Sequence, residues 1–266
     1  MSRMSGQHAG GYRERNSTAD RALDILAMFN DEQAVVTGAL VADRLGVARS
    51  TAYRYLQSLV SSHFLEEAPG GGFQLGLRIL ELARLARRTL GLSEIASPIL
   101  DELAQDVGET TLLTRRTGDL VVCLDKAESH RNRVRISYER GTVLPLNAGA
   151  SATVLLAWND PDEVRQILLR TDLTRFTDAT LTDVEELVER LQRIRTDGYA
   201  VARSEVDQDV MGIAAPIWGA REGEVVAAVS VVGLASRIPP RTERAIVAKV
   251  RLAAARISER VTIVQG

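Results

Sequence analysis

The stretch from Thr37 to Leu75 constrains this chain more than any other. Ala39, Leu40, Ala42 and Leu45 recur at helical spacing and make the apolar face of one short helix. Gly46 ends it, because the left-handed backbone of a tight helix stop suits glycine best. Val47 follows as a buried anchor in the turn, and a second helix begins at Ser50 or just before, carrying Tyr53, Leu56, Leu59 and Val60. Phe64-Leu65 and Phe73-Gln74-Leu75 then flank Ala68-Pro69-Gly70-Gly71-Gly72. Two short extended pieces around a glycine-rich tip predict a β-hairpin. Two helices across a tight break, with a hairpin directly behind, form a winged helix-turn-helix.

The second of those helices is the most informative stretch. Ala52, Tyr55 or Leu56, and Leu59 can face a core, which gathers Arg49, Ser50, Thr51, Tyr53 and Arg54 at its exposed N-terminal end. A recognition helix meets the major groove with that end. Hydroxyls and the helix N-terminus position phosphates, while arginine pairs bidentately with guanine. The bland alternative is a solvated helix face that carries two arginines; the wing behind it favours DNA. Up to Leu77, arginines 3, 13, 15, 21, 44, 49 and 54 are outnumbered by one by acids 14, 20, 24, 31, 32, 43, 66 and 67, so no broad basic field is present. Sparse phosphate contacts per subunit fit an assembly that doubles them.

Around this motif the chain reads as four segments. Residues 1–15, rich in Gly, Ser and Arg, predict a disordered tail. Residues 16–77 make the winged helix-turn-helix, opened by a first helix with Ser17 and Asp20 at its start, Ala22, Leu23, Leu26 and Phe29 on its stripe, and an end near Asn30-Asp31. Residues 78–91 make a linker helix, with Ile79, Leu80, Leu82, Ala83 and Leu85 opposite Arg84, Arg87 and Arg88. Residues 92–266 make a larger α+β domain with a largely antiparallel sheet. Its expected order is a helix capped by Ser93, strands at 110–114, 120–125 and 133–138, and helices at 150–159, 161–169 and one capped by Thr182 with Glu185. Strands at 199–203, 213–218 and 225–232 follow, then a last helix opened by Pro239-Pro240 and running to about Arg260.

With 266 residues, 45% hydrophobic and 26% charged, both halves can bury a core. The lone Cys123 sits in an apolar run and reads as a buried strand residue, which excludes a disulfide framework. His8, His63 and His130 lie far apart without metal-ligand spacing, so no metal site and no cofactor is expected. No run is apolar enough to span a bilayer and no signal-peptide core is visible, so a cytoplasmic protein without membrane contact is expected. An enzyme fused to a helix-turn-helix is the rival from another class. It would need an activated Ser or Cys beside a His, and neither His63 nor His130 adjoins one, so no catalytic residue is expected. A purely structural DNA-bridging protein would not need about 175 residues beyond the linker.

Four stretches resemble the IclR family of bacterial regulators: 21–26 in the first helix, 44–56 across the helix-turn-helix, 144–157 around Leu-Pro-Leu-Asn-Ala-Gly-Ala-Ser, and 213–217 with 225–230 in the closing strands. The resemblance covers nearly everything from Ser17 to about Arg260, and it adds Arg44 to the DNA-facing set. It implies a GAF/PAS-like effector domain behind the winged helix-turn-helix, homodimers through the DNA-binding part and linker that often pair into tetramers, and operator DNA as partner. It also implies a small organic acid or aromatic effector that changes operator affinity, with repression favoured over activation. The pocket would be built from Asn147, Gly149, Ala150, Ser151 and Ala152 at a strand-to-helix junction, where open N–H groups hold a carboxylate, with Glu205, Gly212 and Ser230 opposite. Family members often carry His at position 147, Gly-Lys at 152–153, Cys at 212 and Asp at 202; here Asn147, Ala152-Thr153, Gly212 and Ala202 stand there, which implies a less polar pocket for a larger or aromatic ligand.

Overall fold

The computed structural model describes residues 17–30, 32–130 and 138–265. The expected tail at 1–15, and the expected strand at 133–138 apart from Tyr138, lie outside them. The chain divides into two compact units, one ending at Ala86 and the other beginning at Arg87.

In the first unit, α1 (Ser17–Leu26), α2 (Gly38–Leu45) and α3 (Arg49–Ser61) precede a hairpin of β1 (Leu65–Glu67) and β2 (Phe73–Leu75), and α4 (Leu77–Leu90) follows. Thr37 caps α2 by accepting from the Leu40 N–H, and Gly46 closes it in the left-handed region at φ 62°. The buried face of α2 is Gly38, Val41, Ala42 and Leu45. Ala39, placed inward from the sequence, is exposed, and Val47 is half-buried. The first helix stops at Leu26, short of the expected Asn30, and buries Ile25 while Leu23 is exposed. Ile25, Val36, Leu56, Leu65 and Phe73 lie in one core that joins helices and wing. The boundary between the units falls inside α4.

The second unit opens with α5 (Leu92–Val107), whose start is the left-handed Gly91 with no side-chain cap, rather than Ser93. Among the described residues six strands follow, interleaved with helices: β3 (Thr110–Thr117), β4 (Leu120–Ala127), β5 (Val143–Leu144), β6 (Ala200–Arg203), β7 (Val210–Trp218) and β8 (Val225–Leu234). They form one antiparallel sheet in the order β5-β4-β3-β8-β7-β6. Between β5 and β6 run α6 (Ala150–Ala157), α7 (Pro161–Arg170) and α8 (Val184–Asp197), and α9 (Pro240–Gln265) ends the chain's fold. Asp183, not Thr182, caps α8, accepting from the N–H groups of Glu185 and Glu186. The short β5 had no counterpart in the sequence reading.

The two-residue period of a strand sorts side chains between two layers. Along β7 and β8, Ile213, Ala215, Ile217, Ala227, Val229 and Val231 join α5 and α9 in one core. Ala214 and Ala228 face the other way, into a second core with α6, α7 and α8. Trp158, at the end of α6, meets Trp218, at the end of β7, edge to face with ring centroids 5.3 Å apart.

Candidate nucleic-acid interface and ligand pocket

Ala52, Leu56 and Leu59 pin α3 to the core of the first unit. Arg49, Ser50, Tyr53 and Arg54 are exposed and Thr51 is half-buried. The cap residue Ala48 offers no side chain to the open N–H groups at the helix start, so they remain for an anion. No ion pair among the described residues engages Arg49 or Arg54. Tyr53 differs from its neighbours, since its ring stands edge-on to Phe73 of the wing at 6.1 Å and lies over Gly38. A Cβ on Gly38 would stand 2.5 Å from that ring. Tyr53 therefore braces the wing against α2 and α3 as well as presenting a hydroxyl. Arg44 stands apart from this group: it lines the cleft against α1 with Arg21, Asp24 and Gln33, whereas Arg49 borders the Ala39–Asp43 side of α2. The wing carries Glu66 and Glu67 and no arginine or lysine between them and Leu75.

In the second unit a hollow with about 490 Å³ of empty space, part of it open to solvent, lies between the sheet and the start of α6. The register explains its floor. Leu112 pairs with Ser230 across β3 and β8, Val232 pairs with Gly212, and Gly212 pairs with Ala202, so one face of four strands meets the cavity. Gly149, Ala150, Ser151 and Ala152 form one wall, and Leu144, Pro145, Tyr138, Glu205 and Val206 close it. Seven of the eight sequence-predicted effector residues thus come together: Gly149, Ala150, Ser151, Ala152, Glu205, Gly212 and Ser230. Asn147 does not join them. Its amide is turned away and donates to the carbonyls of Thr174 at 3.1 Å and Leu181 at 2.9 Å.

The space itself follows from small residues. A Cβ on Gly212 would stand 3.4 Å from the Ala150 Cβ, so glycine leaves room where α6 crosses the sheet. Ser151 Oγ donates to Ser230 Oγ at 3.0 Å, deep in the pocket. Glu205 is buried; its Oε2 accepts the Gly149 N–H at 2.9 Å and its Oε1 pairs with Arg190 at 2.7 Å. The anion at the very start of α6 is therefore the protein's own carboxylate, held on the N–H of the cap residue Gly149. Burial, and then Asp207, push the Tyr138 phenol well above its ordinary pKa, so it lines the pocket as a neutral donor.

A closed ring of hydrogen bonds holds the rim. Asn147 fixes the 171–183 segment. From that segment Thr177 donates to the Ser204 carbonyl and Thr180 to the Glu205 carbonyl, the latter at 2.6 Å. Glu205 returns to Gly149, two residues from Asn147. Ser204 and Asp209, at the ends of the segment that carries Glu205, both adopt positive φ without being glycine, at 52° and 56°. Sequence reasoning missed Arg190, Tyr138, Leu112 and Val206. Arg190 lies on a helix that reads as amphipathic surface, and no local signal ties it to Glu205.

Residues 18–69 match the model of the IclR helix-turn-helix domain, and residues 85–259 match that of the C-terminal domain of the bacterial transcriptional regulator IclR. The HTH-type transcriptional regulator BhcR of Paracoccus denitrificans (strain Pd 1222) is 36% identical over 86% of this chain and 80% of its own. A crystal structure of an IclR-type regulator from Silicibacter sp. TM1040 covers 92% of this chain and 96% of its own, with a TM-score of 0.82 and 29% identity. An IclR homologue from Microbacterium hydrocarbonoxydans, complexed with 4-hydroxybenzoate, covers 92% of this chain and 98% of its own, with a TM-score of 0.77 and 29% identity. The helix-turn-helix joined to a pocketed α/β unit, and these matches along nearly its whole described length, establish that the chain belongs to the IclR family of transcriptional regulators, with an effector-binding C-terminal domain.

Proposed function

We propose that this chain is a one-component cytoplasmic repressor in which α3 grips operator DNA and the α6 pocket takes a small organic acid or aromatic metabolite that lowers operator affinity. The observation that carries the reading is the hollow between the sheet and the first turn of α6, walled mostly by apolar and small side chains with Ser151, Ser230 and Glu205 among them. Arg49, Ser50, Thr51, Tyr53 and Arg54 make the DNA contacts, with Arg44 a neighbouring phosphate contact. Gly149, Ala150, Ser151, Ala152, Gly212 and Ser230 receive the effector, and Asn147 and Glu205 hold its rim. Leu77, Leu80 and Leu85 of α4 are 73%, 68% and 42% exposed, an apolar surface suited to a second copy. The working form in this reading is a homodimer, paired into a tetramer where two dimers meet.

The pocket binds and does not catalyse in this reading: its two serines bond to each other rather than to a base, and burial pushes the Cys123 thiol up to about 11. Effector and DNA affinities are then linked, each shifting the other by the same factor. The test is binding of the full chain to the DNA upstream of its own gene, titrated with 4-hydroxybenzoate and a panel of aromatic and short-chain carboxylic acids. Release by one compound, abolished by Gly212→Leu, is the expected result. Specific DNA binding indifferent to every compound would leave the regulator without its sensor.

A further inference from the structure

The exposed side of α3 extends beyond the residues gathered at its start. Ala52, Leu56 and Leu59 define the buried side. The residues opposite them, at steps of four, three and four, are Ser50, Arg54, Gln57 and Ser61, and all four are exposed. Arg49 and Tyr53 lie to one flank, Tyr53 with its ring held between Gly38 and Phe73. Ser61 Oγ is turned back onto the helix and donates to the Ser58 carbonyl at 2.9 Å, as Ser58 Oγ does to the Arg54 carbonyl at 3.0 Å. The outward stripe thus keeps three side chains for a partner: Ser50, Arg54 and Gln57. No hydrogen bond among the described residues engages the Gln57 amide.

We propose that Gln57 is a base-reading residue of this chain, its amide accepting from N6 and donating to N7 of an adenine in the major groove beside the base pair held by Arg54. Glutamine matches adenine in this bidentate way, as arginine matches guanine. Arg54 and Gln57 are separated by about 4.5 Å along the helix axis, close to one base step of roughly 3.4 Å. The inference rests on α3 being the recognition helix. The wing strengthens it from the other side, because Glu66 and Glu67 leave that hairpin without a cation and place base reading on α3.

The experiment selects bound sequences from a randomised DNA duplex pool with the full-length protein, comparing wild type, Gln57→Ala, Gln57→Glu and Arg54→Ala. Wild type is expected to enrich a two-fold related motif with an adenine in each half-site. Gln57→Ala should lose preference at that one position, by roughly five- to a hundred-fold, with the rest of the motif and the salt dependence of binding unchanged. Gln57→Glu should shift the position toward cytosine, whose N4 amine a carboxylate accepts. A Gln57→Ala motif identical to wild type, or an equal loss on all sequences with a shallower salt slope, overturns the proposal. If Arg54→Ala also leaves the motif intact, or wild type enriches none, the recognition-helix reading fails with it; if Arg54→Ala alone alters the motif, only the role of Gln57 fails.

Discussion

A Cβ placed on Gly76 would stand 2.3 Å from the carbonyl oxygen of His63, which itself holds a positive φ of 61°. That oxygen is backbone and cannot swing aside, so Gly76→Ala is expected to destabilise the DNA-binding unit by about 1–3 kcal/mol, as overpacking does elsewhere. Urea unfolding of the variant beside wild type measures it. Cys123 makes a second expectation of single-residue scale. It is 1% exposed with its thiol pushed up to about 11, so a disulfide reagent at mildly alkaline pH should leave it untouched in the native protein and modify it once the chain is unfolded. Some of this was legible in the sequence. Gly46 announced a helix stop because only a left-handed residue serves there, and Cys123 announced its burial by its apolar neighbours. Asn147 was misplaced because its partners, Thr174 and Leu181, are 27 and 34 residues away, and nothing near Asn147 says which way its amide turns.

At the scale of elements, the pocket rim depends on one charged pair and two threonines. Arg190 and Glu205 are both largely buried and bonded to each other, so Arg190→Met would leave a buried carboxylate unpaired, at a cost of about 3–5 kcal/mol. If the pair matters only to stability, Glu205→Gln in the same background should recover much of the loss; denaturant unfolding of both variants checks this. Thr180→Val removes the donor to the Glu205 carbonyl and should speed hydrogen exchange at amides 204–210 while leaving the β7·β8 amides protected. Exchange accelerated across the whole sheet would show instead that Thr180 supports the core. The elements were read from periodicity with most starts and stops within a few residues, since amphipathic spacing survives in a single sequence. Ser93 and Thr182 are residue types that can cap, so the sequence points to them; the helices start instead from Gly91 and Asp183, where the preceding loops place the backbone.

For the whole molecule, stability against pH follows from opposed shifts. Arg256, Arg170 and Arg165 hold Glu102, Asp119 and Glu185 below the usual carboxylate range. Their contribution is complete above that range and fades as pH falls through the lowered values. Cys123 and Tyr138 are shifted up, chiefly by burial, so their contribution is complete below their ordinary values and fades as pH rises through the raised ones. The melting temperature should therefore be flat between about pH 6 and 8, falling in acid below about pH 4 and again above about pH 9. Calorimetry across that range decides it, and a melting temperature that rises into acid would reverse the sign. The proposed homodimer is tested at the same scale: wild type should sediment as a dimer, and Leu80→Glu as a monomer with weaker DNA binding.

The chain's only two tryptophans are Trp158 and Trp218, and they face each other in the second unit. Ultraviolet light near the red edge of aromatic absorption therefore excites that unit and leaves the helix-turn-helix dark. The α6 helix runs about 12 Å from the pocket to Trp158. Whatever shifts its first turn moves one indole against the other, so the colour and yield of emission report on the pocket without a label, while the DNA can be followed separately by a dye of its own.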